Sequence, residues 1–281
     1  EDKQFINLET LCKEYLSNQL DTKIKKICKK KIAVFYDYDI DNRKDRFSVD
    51  SKNKLKENLY LRYIENDIVQ ESFEELIKRD YNIVRLGRSN NRFPFKNENF
   101  HDLAYEYSNS NEMESLDFII PYNSELCITL GSGGQSSAQL YGLPIFYVGY
   151  NRLDIFHLLY NTMLVPKKFY SSSGKLVPIS KLQNINNYYP YMKSYWDSKK
   201  IKIKSPTNSE VKESLLEFLY FLKNKTNFSN LQNPNINKWR EFYLKSSKDF
   251  KRLQRIPYRP KIEVSFMISN HEFKKYRDFY S

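Results

Sequence analysis

From about residue 31 to residue 150 the chain alternates short apolar, β-branched runs with stretches whose apolar residues recur at helical spacing. The runs "KKIAVFYDYD", "NIVRLGR", "ELCITLGS" and "PIFYVGYN" read as strands. Between them, "NDIVQESFEELIKRDY" places Ile68, Phe73, Leu76 and Ile77 on one face behind Asn66 or Asp67 as a cap, "SLDFIIPYNS" reads as a helix starting near Ser115, and "GGQSSAQLYG" opens another. An order β, α, β, α, β, α, β favours a parallel sheet covered by helices on both faces, because parallel strands need crossovers and both faces of the sheet must be buried. The expected class is therefore α/β, Rossmann-like.

The flanks read differently. Leu8, Leu11, Cys12, Tyr15, Leu16, Leu20, Ile24 and Ile27 give residues 1–30 the spacing of an amphipathic helix. Residues 41–58 are polar and charged, as an exposed loop would be. Beyond residue 151 a loop-rich stretch is followed by "NSEVKESLLEFLYFLKNK", a helix capped at Asn208 or Ser209, and then by the basic, helical-looking "NKWREFYLKSSKDFKRLQR". The expected division is a helical segment 1–30, a Rossmann-like domain 31–225 and a basic helical C-terminal extension 226–281.

Glycine is scarce and concentrated. Five of the seven glycines, Gly131, Gly133, Gly134, Gly142 and Gly149, fall within residues 127–151, three of them directly after an apolar strand. In a doubly wound sheet the strand-to-helix turn points backbone N–H groups at ligands beyond the carboxyl ends of the strands. In "ITLGSGGQSSAQL" the glycines allow close approach, while Ser132, Gln135, Ser136 and Ser137 add donors, an arrangement suited to a phosphate or pyrophosphate. The turn lacks both the GxGxxG spacing and the lysine of a Walker loop, which disfavours NAD binding and P-loop hydrolysis. Close helix–strand packing alone would also account for such a turn.

Charge is uneven. Residues 1–160 carry 22 Lys and Arg against 25 Asp and Glu, and residues 161–281 carry 24 against 9, balances of −3 and +15. A basic half attracts phosphorylated ligands, anionic lipid or nucleic acid, although solubility alone would also explain it. Nucleic acid ranks last of these, since the strands are apolar rather than lined with stacking aromatics and cations. No uncharged apolar stretch of about 18 residues occurs, and the start Glu1-Asp2-Lys3 lacks a leader's layout. Cys12, Cys28 and Cys127 show no CxxC spacing, so the expected setting is the reducing cytoplasm. Three scattered histidines without HxxxH spacing, His157 among them as a packing residue, argue against catalytic zinc. The string "YDYDID" leaves a divalent metal open without favouring it.

The ordered set "NIVRLGR", "YEYSNSNEMESLDFIIPYNSELCITLGSGGQSSAQLYGLPIFYVGYN", "MLVPKKFYSSSGKLVPISKL" and "NSEVKESLLEFL" resembles a family of bacterial glycosyltransferases encoded with surface-polysaccharide genes. The shared pattern is a basic strand ending in Gly, a Tyr-x-x-Ser segment, an acidic helix, a Ser-Gly turn, a Gly-x-Pro strand and a Pro-Lys-Lys loop. The match spans about residues 60–220. The resemblance implies a GT-B-like donor-binding half that moves a sugar from a nucleotide sugar to a glycan or lipid-linked acceptor of an O-antigen or capsule type, with no cofactor besides the donor.

On that reading the donor's phosphates sit at Gly131, Ser132, Gly133, Gly134, Gln135 and Ser136, with Arg85, Gly87 and Arg88 at the end of one strand and Lys167 and Lys168 in the following loop. The candidates for the base are Asp37, Asp39 and His101. Lys251, Arg252, Arg255 and Arg259 could lie against the inner face of an anionic membrane. The alternative is an inactive transferase-like scaffold or membrane-docking module, because Tyr36 stands where the family carries a basic residue beside its acid.

Overall fold

A computed structural model describes residues 16–37, 64–130, 135–150, 162–178, 181–182, 193–224, 266–268 and 270–276. Helix α1 (Asn18–Ile27) leads into β1 (Lys31–Tyr36). A 3-10 turn, Asn66–Val69, runs into α2 (Gln70–Ile77), then β2 (Tyr81–Leu86), β3 (Phe100–Asp102), α3 (Leu103–Glu106) and α4 (Glu112–Tyr122). Next come β4 (Leu126–Thr129), α5 (Gln135–Leu140), β5 (Ile145–Tyr150) and β6 (Thr162–Pro166). The remaining elements are β7 (Lys168–Tyr170), α6 (Lys193–Ser198), β8 (Lys202–Lys204), α7 (Asn208–Lys223), β9 (Phe266–Ile268) and α8 (Asn270–Lys275).

Seven strands form one sheet in the order β3-β2-β1-β4-β5-β6-β9, and every neighbouring pair is parallel. The first six follow the doubly wound dinucleotide-fold order 3-2-1-4-5-6, so the expected α/β, Rossmann-like class is the observed one. β7 and β8 make a separate antiparallel pair.

Strand β1 divides the core by its period of two. Ile32, Val34 and Tyr36 belong to one cluster, with Leu20 and Ile24 of α1, Leu116 and Ile120 of α4, and Ala138 of α5. Ala33 and Phe35 belong to the other, with Phe73 and Leu76 of α2 and Val211, Leu215 and Phe218 of α7. Both faces of the sheet are thus covered, which is why its strands read as near-continuous apolar runs.

The helix starts differ from the sequence expectation. α7 is capped by Thr207, one residue before the expected Asn208 or Ser209: its side chain accepts from the Glu210 amide while the Glu210 carboxylate accepts from the Thr207 amide. α4 begins at Glu112 rather than near Ser115 and carries Pro121 within its last turn. The C-terminal stretch expected as a helical extension supplies a strand as well as a helix, since β9 pairs with β6 and completes the sheet.

Gly149 produces a bulge near the end of β5. Its φ is +70° and the register with β6 shifts between Val148 and Tyr150. A Cβ here would come within 1.8 Å of Ile64 Cδ1, so any other residue must displace the Ile64 side chain as well as adopt a left-handed backbone.

Candidate functional site

In this strand order the chain runs outward from β1 to β2 and β3, then returns to β4 on the other side of β1. The crevice beyond the carboxyl ends of β1 and β4 is the topological switch point, where ligands of this fold collect. Leu130 at the end of β4 donates its amide to the Tyr36 carbonyl at 2.9 Å, which fixes the two strand ends together. Gly131, Ser132, Gly133 and Gly134 follow immediately in sequence but lie outside the described residues, as does Asp39. Gln135 opens α5, and Ser136 beside it is exposed.

Side chains at the end of β1 diverge. Asp37 is joined to Arg85, the partner of Phe35 in the sheet register and a member of β2. Arg85 donates from Nε to Asp37 Oδ1 at 3.0 Å and from Nη2 to Oδ2 at 2.7 Å, while Nη1 donates to both oxygens of Asp102 at 3.0 and 3.2 Å. The Asn91 carbonyl and the Ser89 hydroxyl take its remaining hydrogens. The guanidinium stands 5.3 Å from the Phe93 ring centroid, against a nest of phenylalanines formed by Phe35, Phe73, Phe95 and Phe100. Each guanidinium nitrogen is therefore directed at a protein oxygen, and the group acts as an internal tie between β1, β2 and β3.

Tyr36 points to the opposite face, toward α4 and α5. Its hydroxyl lies beside the carboxyl of Asp117 on α4 and the hydroxyl of Ser137 on α5, close enough to affect ionisation. Burial holds the Tyr36 phenol protonated, far above its ordinary range. Burial also pushes the Asp117 carboxyl up to about 6; the Arg88 charge and the Gly87 amide oppose the rise, and Glu114 adds to it. Gly87 adopts φ +96° just past β2, which turns its amide toward Asp117. Arg88 is about one-third exposed, with Nη1 donating to the Ser108 carbonyl at 3.2 Å and Nη2 lying 3.5 Å from the largely exposed Glu114 carboxylate. Sequence reading did not single out Asp117. An acid in the polar stripe of an amphipathic helix looks like a solvated residue, and only the crossover of α4 beneath the β1 and β2 ends reveals it.

His101 lies on β3, near Lys23 and Lys26 of α1 and Glu106 of α3. Burial, reinforced by the two lysines, pushes its imidazole down to about 4, so it is neutral at pH 7. Its alternation with Asp102 along β3 turns it away from the Arg85 cluster.

Lys167 and Lys168 separate at the end of β6. Lys168 is buried, donates to the Pro166 carbonyl at 3.0 Å and stands 4.4 Å from the Tyr276 ring centroid. Lys167 is also buried and lines a cavity of about 460 Å³ with Glu65, Asp67, Lys204 and the α7 start at Thr207 and Asn208. Burial pushes its ammonium down to about 8, against the opposing pull of Glu65. A larger cavity of about 900 Å³ opens at the opposite ends of the central strands, between Lys31, Tyr81 and Glu125 and the α7 residues Leu219 and Tyr220. It sits at the amino ends of the strands, remote from the switch point.

Among the described residues, no group of three or more His, Cys, Asp or Glu is arranged to hold a metal ion, and no helix is long and apolar enough to cross a membrane. No protein-family model matches the chain, and no curated protein matches it. Among solved structures it is similar to the E. coli ADP-heptose LPS heptosyltransferase II, with a TM-score of 0.37 and 14% identity over 56% of this chain. The chain spans 42% of that structure's length.

Proposed function

We propose that the chain binds the nucleotide-sugar donor of a glycosyl transfer and moves the sugar to a glycan or lipid-linked acceptor in surface-polysaccharide synthesis. One observation carries the reading: a parallel sheet in the order 3-2-1-4-5-6, in which β4 and α5, the elements flanking the switch point, are joined in sequence by a glycine-rich segment. Anionic phosphates suit backbone amides at such a turn, and Arg88, just past the end of β2, is a partly exposed cation. The resemblance of the sequence to a glycosyltransferase pattern over about residues 60–220 supports the choice of a sugar donor over other nucleotides.

In the transfer the acceptor O–H bond breaks, its oxygen bonds to the anomeric carbon, and the anomeric C–O bond to phosphate breaks with its electron pair leaving on the nucleotide. The leaving phosphate needs positive or dipolar groups, the role assigned to the 131–134 turn and Arg88. The acceptor's proton needs a carboxylate or imidazole. Both oxygens of Asp37 accept hydrogen bonds from Arg85.

Thermal melting of the purified chain against UDP-, GDP-, dTDP- and CMP-linked sugars tests the reading, with Gly133→Val as the control. Stabilisation by one nucleotide class, abolished by Gly133→Val, is the expected result. Indifference to every donor would replace the reading with a transferase-like scaffold.

A further inference from the structure

Helix α7 carries more apolar surface than the core uses. Val211, Leu215 and Phe218 are buried against the sheet, and a helix packed on one face needs only such a stripe. A second set, Leu216, Leu219, Tyr220 and Lys223, follows the i, i+3, i+4, i+7 spacing and so shares a neighbouring face. All four line the cavity of about 900 Å³ at the amino ends of the strands. Tyr220, on its wall, is 64% exposed, so the cavity is a groove open to solvent.

The charges at the groove select its occupant. Lys31, Arg79 and Lys223 are positive, and Glu125 is the one carboxylate among the lining residues. Glu125 accepts from the Tyr81 hydroxyl at 2.6 Å and lies 3.9 Å from Lys31, while Arg79 pairs with Glu75 at 2.6 Å. Lys223, exposed in the last turn of α7, meets no carboxylate among the described residues. The excess is therefore positive. Residues 225–265, which follow α7 in sequence, hold ten Lys and Arg against three Asp and Glu, and the whole chain has a net charge of +12, so neither that stretch nor a second copy complements the groove. An anion does. The leucine side chains offer nothing to a base or a sugar, whose hydrogen bonds to water would go unreplaced, and they suit an alkyl or prenyl chain instead.

We infer that the groove beside the end of α7 binds a single-chain anionic amphiphile, with its apolar chain along Leu216, Leu219 and Tyr220 and its anionic head at Lys223. Leu216 and Lys223 are seven residues apart, about 10 Å along a helix, which sets the length of chain the groove can shelter. The groove lies at the end of the sheet opposite the switch point, so this site is separate from the one proposed for the donor and is tested without it.

Isothermal titration of the full chain with butyl, hexyl, octyl and decyl phosphate, kept below their micelle concentrations, tests the site, with 1-octanol and inorganic phosphate for comparison. Affinity is expected to rise about twofold to fourfold per added methylene and to level off once the chain outruns the groove. Octyl phosphate should bind about 5-fold more tightly than 1-octanol, a preference that Lys223→Glu removes. Tyr220→Asp should weaken octyl phosphate by about 10-fold, because it places a like charge on the apolar wall. Lys175→Glu, the same charge change at an exposed residue in the turn after β7, should leave binding as it was. Tyr220 and Lys223 are both exposed, and melting transitions verify that the variants fold. Equal losses from Lys223→Glu and Lys175→Glu would reduce the preference to overall charge and overturn the site. So would an affinity independent of chain length. A chain that binds vesicles of anionic lipid but neither octyl nor decyl phosphate would overturn it as well, in favour of docking on a bilayer.

Discussion

Arg85 holds Asp37 by two hydrogen bonds, of 3.0 and 2.7 Å, so that the end of β1 is fastened to β2 through a pair almost sealed from solvent. The same guanidinium reaches Asp102 at the end of β3, which makes one cation the common partner of two carboxylates on three adjacent strands. Arg85→Lys retains the charge but cannot form the fork. It should destabilise the chain by roughly 2–4 kcal/mol in urea unfolding, because buried carboxylates lose partners they cannot replace with water.

Gly149 and Gly142 offer a controlled comparison. Both adopt positive φ, +70° and +66°, but an added Cβ meets Ile64 only at Gly149. Gly142→Ala should cost about 1 kcal/mol, the strain of a left-handed alanine. Gly149→Ala should cost roughly 3 kcal/mol, the excess coming from displacement of Ile64, as read from paired thermal melts.

The raised Asp117 carboxyl has a signature in pH. Its folded value of about 6 exceeds its ordinary 3.8, so between these the folded state holds the proton more tightly than the unfolded state. Stability from this group therefore falls as pH rises from about 4 to about 6, and above that the buried charge is a standing cost. Asp117→Asn should stabilise the chain by roughly 1–3 kcal/mol at pH 7.5, with the gain shrinking through pH 6 and vanishing near pH 4. Chemical denaturation across that range measures it.

Glu210 behaves in the opposite sense. Burial disfavours its charge, but hydrogen bonds from Lys275, Tyr276 and the Thr207 amide, with the Lys168 charge, outweigh it and hold the carboxyl down at about 2. Its contribution is fully present above the ordinary value of 4.5 and is lost as pH falls toward 2. Glu210→Gln should cost about 2 kcal/mol at pH 7, and its deficit relative to the native chain should narrow between pH 4.5 and 2.

The sheet was largely legible in the sequence because strands buried on both faces must be apolar throughout: β1, β2, β4 and β5 coincide with the runs around Val34, Ile83, Ile128 and Phe146. β3 and β9 were not legible. Three residues, Phe100–Asp102 or Phe266–Ile268, are too few to display a period, and only their parallel neighbours define them. Unusual composition drew sequence reading to the glycine turn, whose residues 131–134 lie outside those described, while contacts that depend on a crossover left no mark in the sequence. Asp37 was singled out for ending a strand, yet the same position gives it to Arg85. Asp117 lies eighty residues further along, and its proximity to Tyr36 follows from the sheet order alone.

The pairing of β6 with β9 has a consequence for how the chain is made. Thr162 is aligned with Phe266, about a hundred residues later, so six strands and α7 leave the ribosome before the seventh exists. Throughout that interval β6, with Met163, Leu164 and Val165 destined for the interior, stands as an open parallel edge able to recruit a foreign strand. Closure by so distant a segment is slow relative to local pairing. Cleavage between residues 224 and 266 would leave closure to a detached peptide and expose β6 to aggregation, even if every residue of the switch point remained in place.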